Sequence, residues 1–322
     1  MGDKKVLKKG YTTGVHTSFA FLSALNTFLS TSKLSISKTN KNDNDDLDVT
    51  KGCQIVVTIS HTKDDLLLNN KEHKPYILDN NNYTLEIYAG VGVGVVTKDG
   101  LKPPKNYPAI NPVPLEAIAN IYQTKNNIDQ NLYCSISVTN GETIAKQTAN
   151  AKVGVVGGIS ILGSTGWVKP ISASAYIHSI DAELNYAKAN NYDTIVFTLG
   201  NSAYKKAIGQ DNSYYIVEIG NFIYDGIKLA VEKEFKNIEL WLGIGKAVKI
   251  AQGFKNTHNR FGSIDFNQLQ NFVNIDISGI ITVKGIRELL GDDTKKFDDR
   301  IVLDVKNQLY SWFNKDIKIR II

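Results

Sequence analysis

Apolar residues alternate with polar ones, or run in short β-branched stretches, over Gln54–Ser60, Tyr83–Ala89 and residues 132–139, each bounded by turn formers. That spacing predicts strands of an antiparallel or mixed sheet. Residues 17–29 instead carry apolar side chains around most of the circumference after a Thr-Gly start, which predicts a buried helix, and residues 114–122 read as another. Between these segments the chain is rich in Asn, Asp and Lys. Residues 35–52, 69–71 and 79–82 therefore read as loops.

From about residue 182 the texture changes. Residues 182–189 read as helix, Thr194–Leu199 as a buried strand, 214–219 as a second, 222–235 as helix, 238–242 as a third strand, and 246–252 as the opening of a further helix. Strands alternating with helices in this way imply βαβ units and a parallel sheet, whose ligand sits beyond the carboxyl ends of the strands. Residues 283–290 and 301–313 add helices, and 317–322 a last strand or tail. The expected fold class is α+β in two domains: an N-terminal α+β domain with a mixed sheet over residues 1–185, and a C-terminal α/β domain with a parallel sheet over 186–322.

Composition narrows the classes. With 42% hydrophobic and 21% charged residues, 25 Gly and 7 Pro in 322 residues, the chain is neither disordered nor collagenous, and its length suits two cores. Two cysteines, Cys53 and Cys134, make no disulfide framework and fit a reducing compartment. A lysine-bearing start without an apolar run behind it, and no stretch near the roughly 18 residues of a membrane span, lead us to expect a soluble, cytoplasmic protein with no membrane partner. The net charge of +5, from 37 basic and 32 acidic residues, falls short of a nucleic-acid-binding stripe, so no nucleic acid partner is expected. The five histidines show no ligand spacing, and we expect no protein-bound metal. Oligomeric state is left open.

Three glycine-rich stretches stand out. In Ala89–Lys98, glycines at 90, 92 and 94 follow a strand, but Thr97 occupies the place of the last glycine of a dinucleotide loop, so a strand that lets another backbone or a flat ligand approach closely is the simpler reading. In residues 154–170, Gly163-Ser164-Thr165-Gly166 can turn successive N–H groups and hydroxyls toward a carboxylate. The third, around Gly243 and Gly245, lacks the remaining residues of a phosphate loop but sets Lys246 at a strand-to-helix junction, where an anion is favoured. Shortly after it, Asn256, Thr257, His258 and Arg260 gather amide, hydroxyl, imidazole and guanidinium. His258 is placed to touch ligand or move a proton. The acidic run Asp43, Asp45, Asp46, Asp48 reads as a solvated loop.

Taken in order, these motifs resemble the CbiD family. The resemblance rests on Lys9-Gly-Tyr-Thr-Thr-Gly14, Asp45-Asp-Leu-Asp-Val-Thr50, Ala89-Gly-Val-Gly, Val96-Thr-Lys-Asp-Gly-Leu101, Pro108-Ala-Ile-Asn-Pro-Val-Pro114, Gly157-Gly-Ile-Ser-Ile-Leu-Gly-Ser-Thr-Gly166, Gly200-Asn201, Asn221-Phe222, Ile244-Gly-Lys246 and Asn256-Thr-His258. It spans residues 9 to about 265. The chain departs from the pattern at Val15 and His16, where the family has Thr or Ser then Cys, at Gly243, where it has His, and at Ser263 and Asp265.

The resemblance implies methylation of C1 of cobalt-precorrin-5B in the anaerobic cobalamin pathway, with S-adenosylmethionine as co-substrate and a cobalt tetrapyrrole as partner. Cobalt would be held by the macrocycle's own nitrogens. The departures leave a second reading, a weakened relative that binds a cobalt tetrapyrrole without methylating it. For a flat ring fringed with acetate and propionate arms, we assign Lys98, Lys169, Lys246 and Arg260, with Asn256 and Thr257, to substrate. The Gly163, Ser164, Thr165, Gly166 loop goes to the donor's carboxylate or a substrate arm, and His258, then Asp48 and Thr13, to proton transfer. All three glycine stretches are expected to line one slot. Aligning donor and acceptor can be worth about 7–11 kcal/mol, more than the roughly 10²–10⁴-fold of a general base, so positioning should dominate.

Overall fold

The strand Gln54–Ser60 puts Ile55, Val57 and Ile59 on one face by simple alternation, and all three are fully buried. This strand, β2, lies inside a five-stranded sheet with β1 (Ser35–Asn40), β3 (Tyr76–Asn80), β4 (Tyr83–Ala89) and β5 (Leu132–Val138), in the order β1-β2-β5-β4-β3. Only the β4–β5 pair is parallel, so the sheet is mixed, as expected. The computed structural model describes residues 10–42, 49–80, 82–163, 167–168, 173–208 and 213–322.

Two helices cover the inward face: α1 (Thr13–Thr31), through Phe21, Leu25 and Phe28, and α2 (Pro112–Gln123), through Ile118 and Tyr122. Each such side chain, fully buried, contributes about 1.5–3 kcal/mol. Thr12 caps α1 by accepting a hydrogen bond from the Val15 N–H at 3.4 Å, which starts the helix four residues before the apolar pattern does.

Two expected loops are strands. Residues 35–52 contain β1, and residues 79–82 overlap the end of β3. Both are edge strands, where polar composition is tolerated because only one side of the ladder is paired. In β1 the outward Ile36 is 56% exposed, so the strand carries little apolar signal.

The C-terminal unit is built on four parallel strands, β6 (Thr194–Leu199), β7 (Tyr215–Glu218), β8 (Asn237–Leu242) and β9 (Lys318–Ile321), in the order β7-β6-β8-β9. One face carries the larger core, packed by α3 (Ala173–Ala189), α5 (Ile223–Glu232), α6 (Ile244–Ala251), α7 (Val283–Leu290) and α8 (Thr294–Phe313). On the other face, α4 (Asn201–Ala207) packs Ala203 and Ala207 against Val196 and Trp241. The two compact units are residues Met1–Ala175 and Tyr176–Ile322. Their boundary falls N-terminal of residue 185, because Ile180, Leu184 and Ala187 of α3 belong to the C-terminal core.

Candidate functional site

The chain leaves β6 for β7 on one side and returns across β6 to β8 on the other. The loops after β6 and β8 therefore diverge to opposite faces and leave a crevice at the carboxyl ends of the strands. The crevice is real: a cleft of about 650 Å³ is lined by Gly200, Asn201, Asn221, Gly243, Lys246 and His258, among others.

Lys246 stands in the first turn of α6, and its Nζ donates to the Gly220 carbonyl at 3.3 Å. A Cβ on Gly200 would lie 3.9 Å from that Nζ, so the ammonium lies across the end of β6, between β8 and β7. Burial holds its pKa below the usual 10.5; Glu218 opposes the fall and the charge on Lys249 adds to it.

Lys249, 6% exposed, also borders the cleft, but its ammonium is fully used. It donates to Thr257 O at 3.2 Å, Asn259 Oδ1 at 2.7 Å and Gly262 O at 3.0 Å. An ammonium has three donors, so Lys249 orders the 256–262 loop rather than binding an anion. Thr257 is clamped from the other side: its N–H donates to Asn221 O at 3.1 Å and its hydroxyl to Asn221 Oδ1 at 2.9 Å.

His258 is exposed, and its Nδ1 accepts the Arg260 N–H at 3.1 Å. That bond places the proton of the neutral ring on Nε2, which makes Nε2–H the group available to a ligand. The Asn256 side chain accepts the His258 N–H at 3.0 Å and shapes this turn. The Arg260 guanidinium lies 4.6 Å from the centre of the Phe261 ring.

Of the residues assigned from the sequence, Lys246, Thr257 and His258 meet at the cleft, with Asn256 and Arg260 flanking them. Gly200, Asn201, Asn221, Lys249 and Asn259 were not assigned as site residues. Gly200-Asn201 directly follows a strand, and Lys249 follows Lys246 by one helical turn; those were the available signals.

The other assigned residues belong to the N-terminal unit. Thr13 is buried, and its hydroxyl donates to Leu162 O at 3.1 Å and accepts from Leu162 N at 2.8 Å, so it joins α1 to the second glycine stretch. Gly163 packs on Thr12: a Cβ there would lie 2.4 Å from Thr12 Oγ1. Lys98 is exposed, its stem beside Gly154. Asp48, Ser164, Thr165, Gly166 and Lys169 lie outside the described residues.

The first two glycine stretches do come together, by backbone contact. Gly158 pairs with Gly92 in parallel register, and a Cβ on Gly92, whose φ is +80°, would lie 2.0 Å from Val138 O. Their glycines admit neighbouring main chain here. The third stretch belongs to the C-terminal unit. His16 is buried: Nε2 accepts the Asn42 N–H at 3.2 Å, Nδ1 has no hydrogen-bond partner among the described residues, and burial, with Lys41, lowers its pKa below 6.5.

The family model CbiD matches residues 30–170. A protein of Methanococcus aeolicus named cobalt-precorrin-5B C(1)-methyltransferase is 40% identical over 221 residues, an alignment covering 67% of this chain and 54% of that protein. The chain thus spans about half of that relative's length. A protein of the same name from Methanococcus maripaludis is 33% identical over 311 residues, covering 89% of this chain and 81% of the relative. The crystal structure of a cobalamin biosynthesis protein (cbiD) from Archaeoglobus fulgidus is 23% identical, covering 73% of this chain and 76% of that one at a TM-score of 0.34.

Proposed function

The chain belongs to the CbiD family, and on that premise we propose that it transfers a methyl group from S-adenosylmethionine to C1 of cobalt-precorrin-5B in the anaerobic cobalamin pathway. The observation that carries the reading is identity of 33% over nearly the whole chain to a relative bearing that name. The cleft at the strand ends supports it, because it offers what a carboxylate-fringed ring needs.

S-adenosylmethionine supplies a methyl group already activated on a sulfonium. The remaining task for the protein is alignment and charge placement. Lys246, half-buried and, among the described residues, hydrogen-bonded to a neutral carbonyl, binds a carboxylate arm. A charge-assisted bond of this kind is worth about 1.5–3 kcal/mol. Side chains are missing over Gly243 and Gly245, where an added Cβ would meet nothing within 4 Å, so a flat ligand can approach the backbone. His258, held in one tautomer by Arg260 N–H, donates from Nε2 to substrate. Arg260, flanking the cleft, is a further candidate for a carboxylate arm.

A second reading, binding without turnover, is favoured by Gly243 itself: the open space above it is where the family pattern sets an imidazole. Methyl-labelled S-adenosylmethionine and cobalt-precorrin-5B separate the two. Methyl transfer gives one labelled methyl per macrocycle at C1. Absence of label in a macrocycle that still shifts its absorption on binding supports the second reading and overturns the first.

A further inference from the structure

We propose that the end of β7, which adjoins the cleft through Gly220 and Lys246, is the nucleoside subsite for the methyl donor, with the Glu218 carboxylate accepting hydrogen bonds from the ribose hydroxyls; this rests on the methyl-transfer reading. The connectivity comes first. Strand β6 ends in Gly200, α4 follows, and β7 lies beside β6 and ends in Glu218. An acidic residue at the end of the second strand, roughly twenty residues beyond a glycine turn, is the arrangement that holds a ribose in nucleotide-binding α/β folds. The further glycines of that fingerprint serve close approach to a pyrophosphate and helix packing. A sulfonium nucleoside has no phosphate, so the turn needs only Gly200, whose φ of +96° suits a residue without Cβ.

Charge points the same way. Among the described residues that border the cleft, Lys246 and Lys249 are charged and none is acidic. A ribose diol needs an acceptor, and an ionised carboxylate accepts only. Glu218 is the carboxylate near enough to Lys246 to pull its proton affinity upward. Glu218 is half-buried and pairs in register with Thr198, which is fully buried and whose hydroxyl has no hydrogen-bond partner among the described residues. Their common face is fixed two residues earlier by Ile216 and Val196, which pack in one cluster.

A wall for the base stands next to it. Tyr176 and Phe222 stack at 5.1 Å with 29° between their planes, and the Tyr176 hydroxyl donates to the Glu218 carbonyl at 3.1 Å. Tyr176 packs on Gly220, where a Cβ would lie 3.0 Å from its hydroxyl, and Gly220 O is the acceptor for Lys246. Carboxylate, aromatic pair and ammonium thus follow one another along the end of β7.

Isothermal titration of the full chain with S-adenosylhomocysteine and its 2′,3′-dideoxy analogue tests the subsite. The wild type should prefer the ribose form about 10- to 100-fold. Glu218→Gln should bring the preference close to one, chiefly by weakening the ribose form. Tyr176→Leu should weaken both ligands about tenfold and leave their ratio unchanged. A Glu218→Gln protein that keeps the wild-type preference overturns the subsite and leaves methyl transfer standing, as does one that weakens both ligands alike, which would make Glu218 a counter-charge to Lys246. Failure of the wild type to bind S-adenosylhomocysteine, with and without cobalt-precorrin-5B, sinks the subsite together with the methyl-transfer reading.

Discussion

Replacing Lys249 by Met keeps most of the stem's packing and removes three donors. Asn259 is exposed, so its amide turns to water and loses little. The loss falls on the carbonyls of Thr257 and Gly262, which accept at 3.2 and 3.0 Å. A buried acceptor left unmet costs about 1–3 kcal/mol. Deleting the ammonium also relieves its own burial, which holds the net loss toward the low end of that range. Taking the low end for each carbonyl gives a net loss of about 2 kcal/mol, confined to the 256–262 loop. At 1.4 kcal/mol per factor of ten, local opening rises about 30-fold. Native-state hydrogen exchange reads this at two amides, Thr257 (bonded to Asn221 O at 3.1 Å) and Phe261 (bonded to His258 O at 3.0 Å), while β8 stays protected. Wild-type exchange at both amides in a folded variant would refute the assignment of Lys249 as the loop's anchor.

Lys246→Met should raise KM for the macrocycle about 10- to 100-fold with kcat held, and anion affinity of the wild type should fade with rising pH before the ordinary lysine value of 10.5 is reached; an unchanged KM removes Lys246 from binding. Because the folded state gives up the Lys246 proton first, stability rises with pH between the lowered value and 10.5, and the variant should lack that rise in pH-dependent denaturation. His16 works on the acid side: the unfolded chain takes up its proton first below 6.5, so stability falls as pH drops toward the lowered value, and His16→Gln should flatten that limb of a urea-denaturation series. Gly92→Ala forces a Cβ to 2.0 Å from Val138 O at φ +80°, and should cost about 3 kcal/mol or more, lowering Tm by about 6–12 °C in calorimetry. His258→Ala should slow methyl transfer at saturating substrate; an unchanged rate means that its Nε2–H does not act on the reaction.

The parallel C-terminal sheet was readable because its strands are buried on both faces, so Thr194–Leu199 is a nearly unbroken apolar run. Edge strands hid for the opposite reason: Ser35–Asn40 has one paired side and mostly polar residues. At the site, Lys246 and His258 showed in sequence through charge and polarity. Asn221 showed only as part of a family motif and Lys249 only by its spacing from Lys246; their roles, holding other residues, depend on contacts that no local pattern encodes. The glycines of Ala89–Lys98 were read as a place where another backbone or a flat ligand could come close; the fold brings main chain there, and the identity of the partner, Gly158, was not legible in sequence.

The joint between Thr13 and Leu162 ties residues 149 positions apart, and Gly14 N–H adds a further bond to the same carbonyl at 2.8 Å. During synthesis the opening turn of α1 must therefore wait until that distant segment has left the ribosome. Loop closure over such a span is slow, but Phe21, Leu25 and Phe28 already have β1, β2 and α2 to pack on, so only the first turn of the helix waits. Hydrogen exchange on ribosome-stalled chains should accordingly find the Gly14 amide open in those ending before residue 160 and protected in those extended past residue 180.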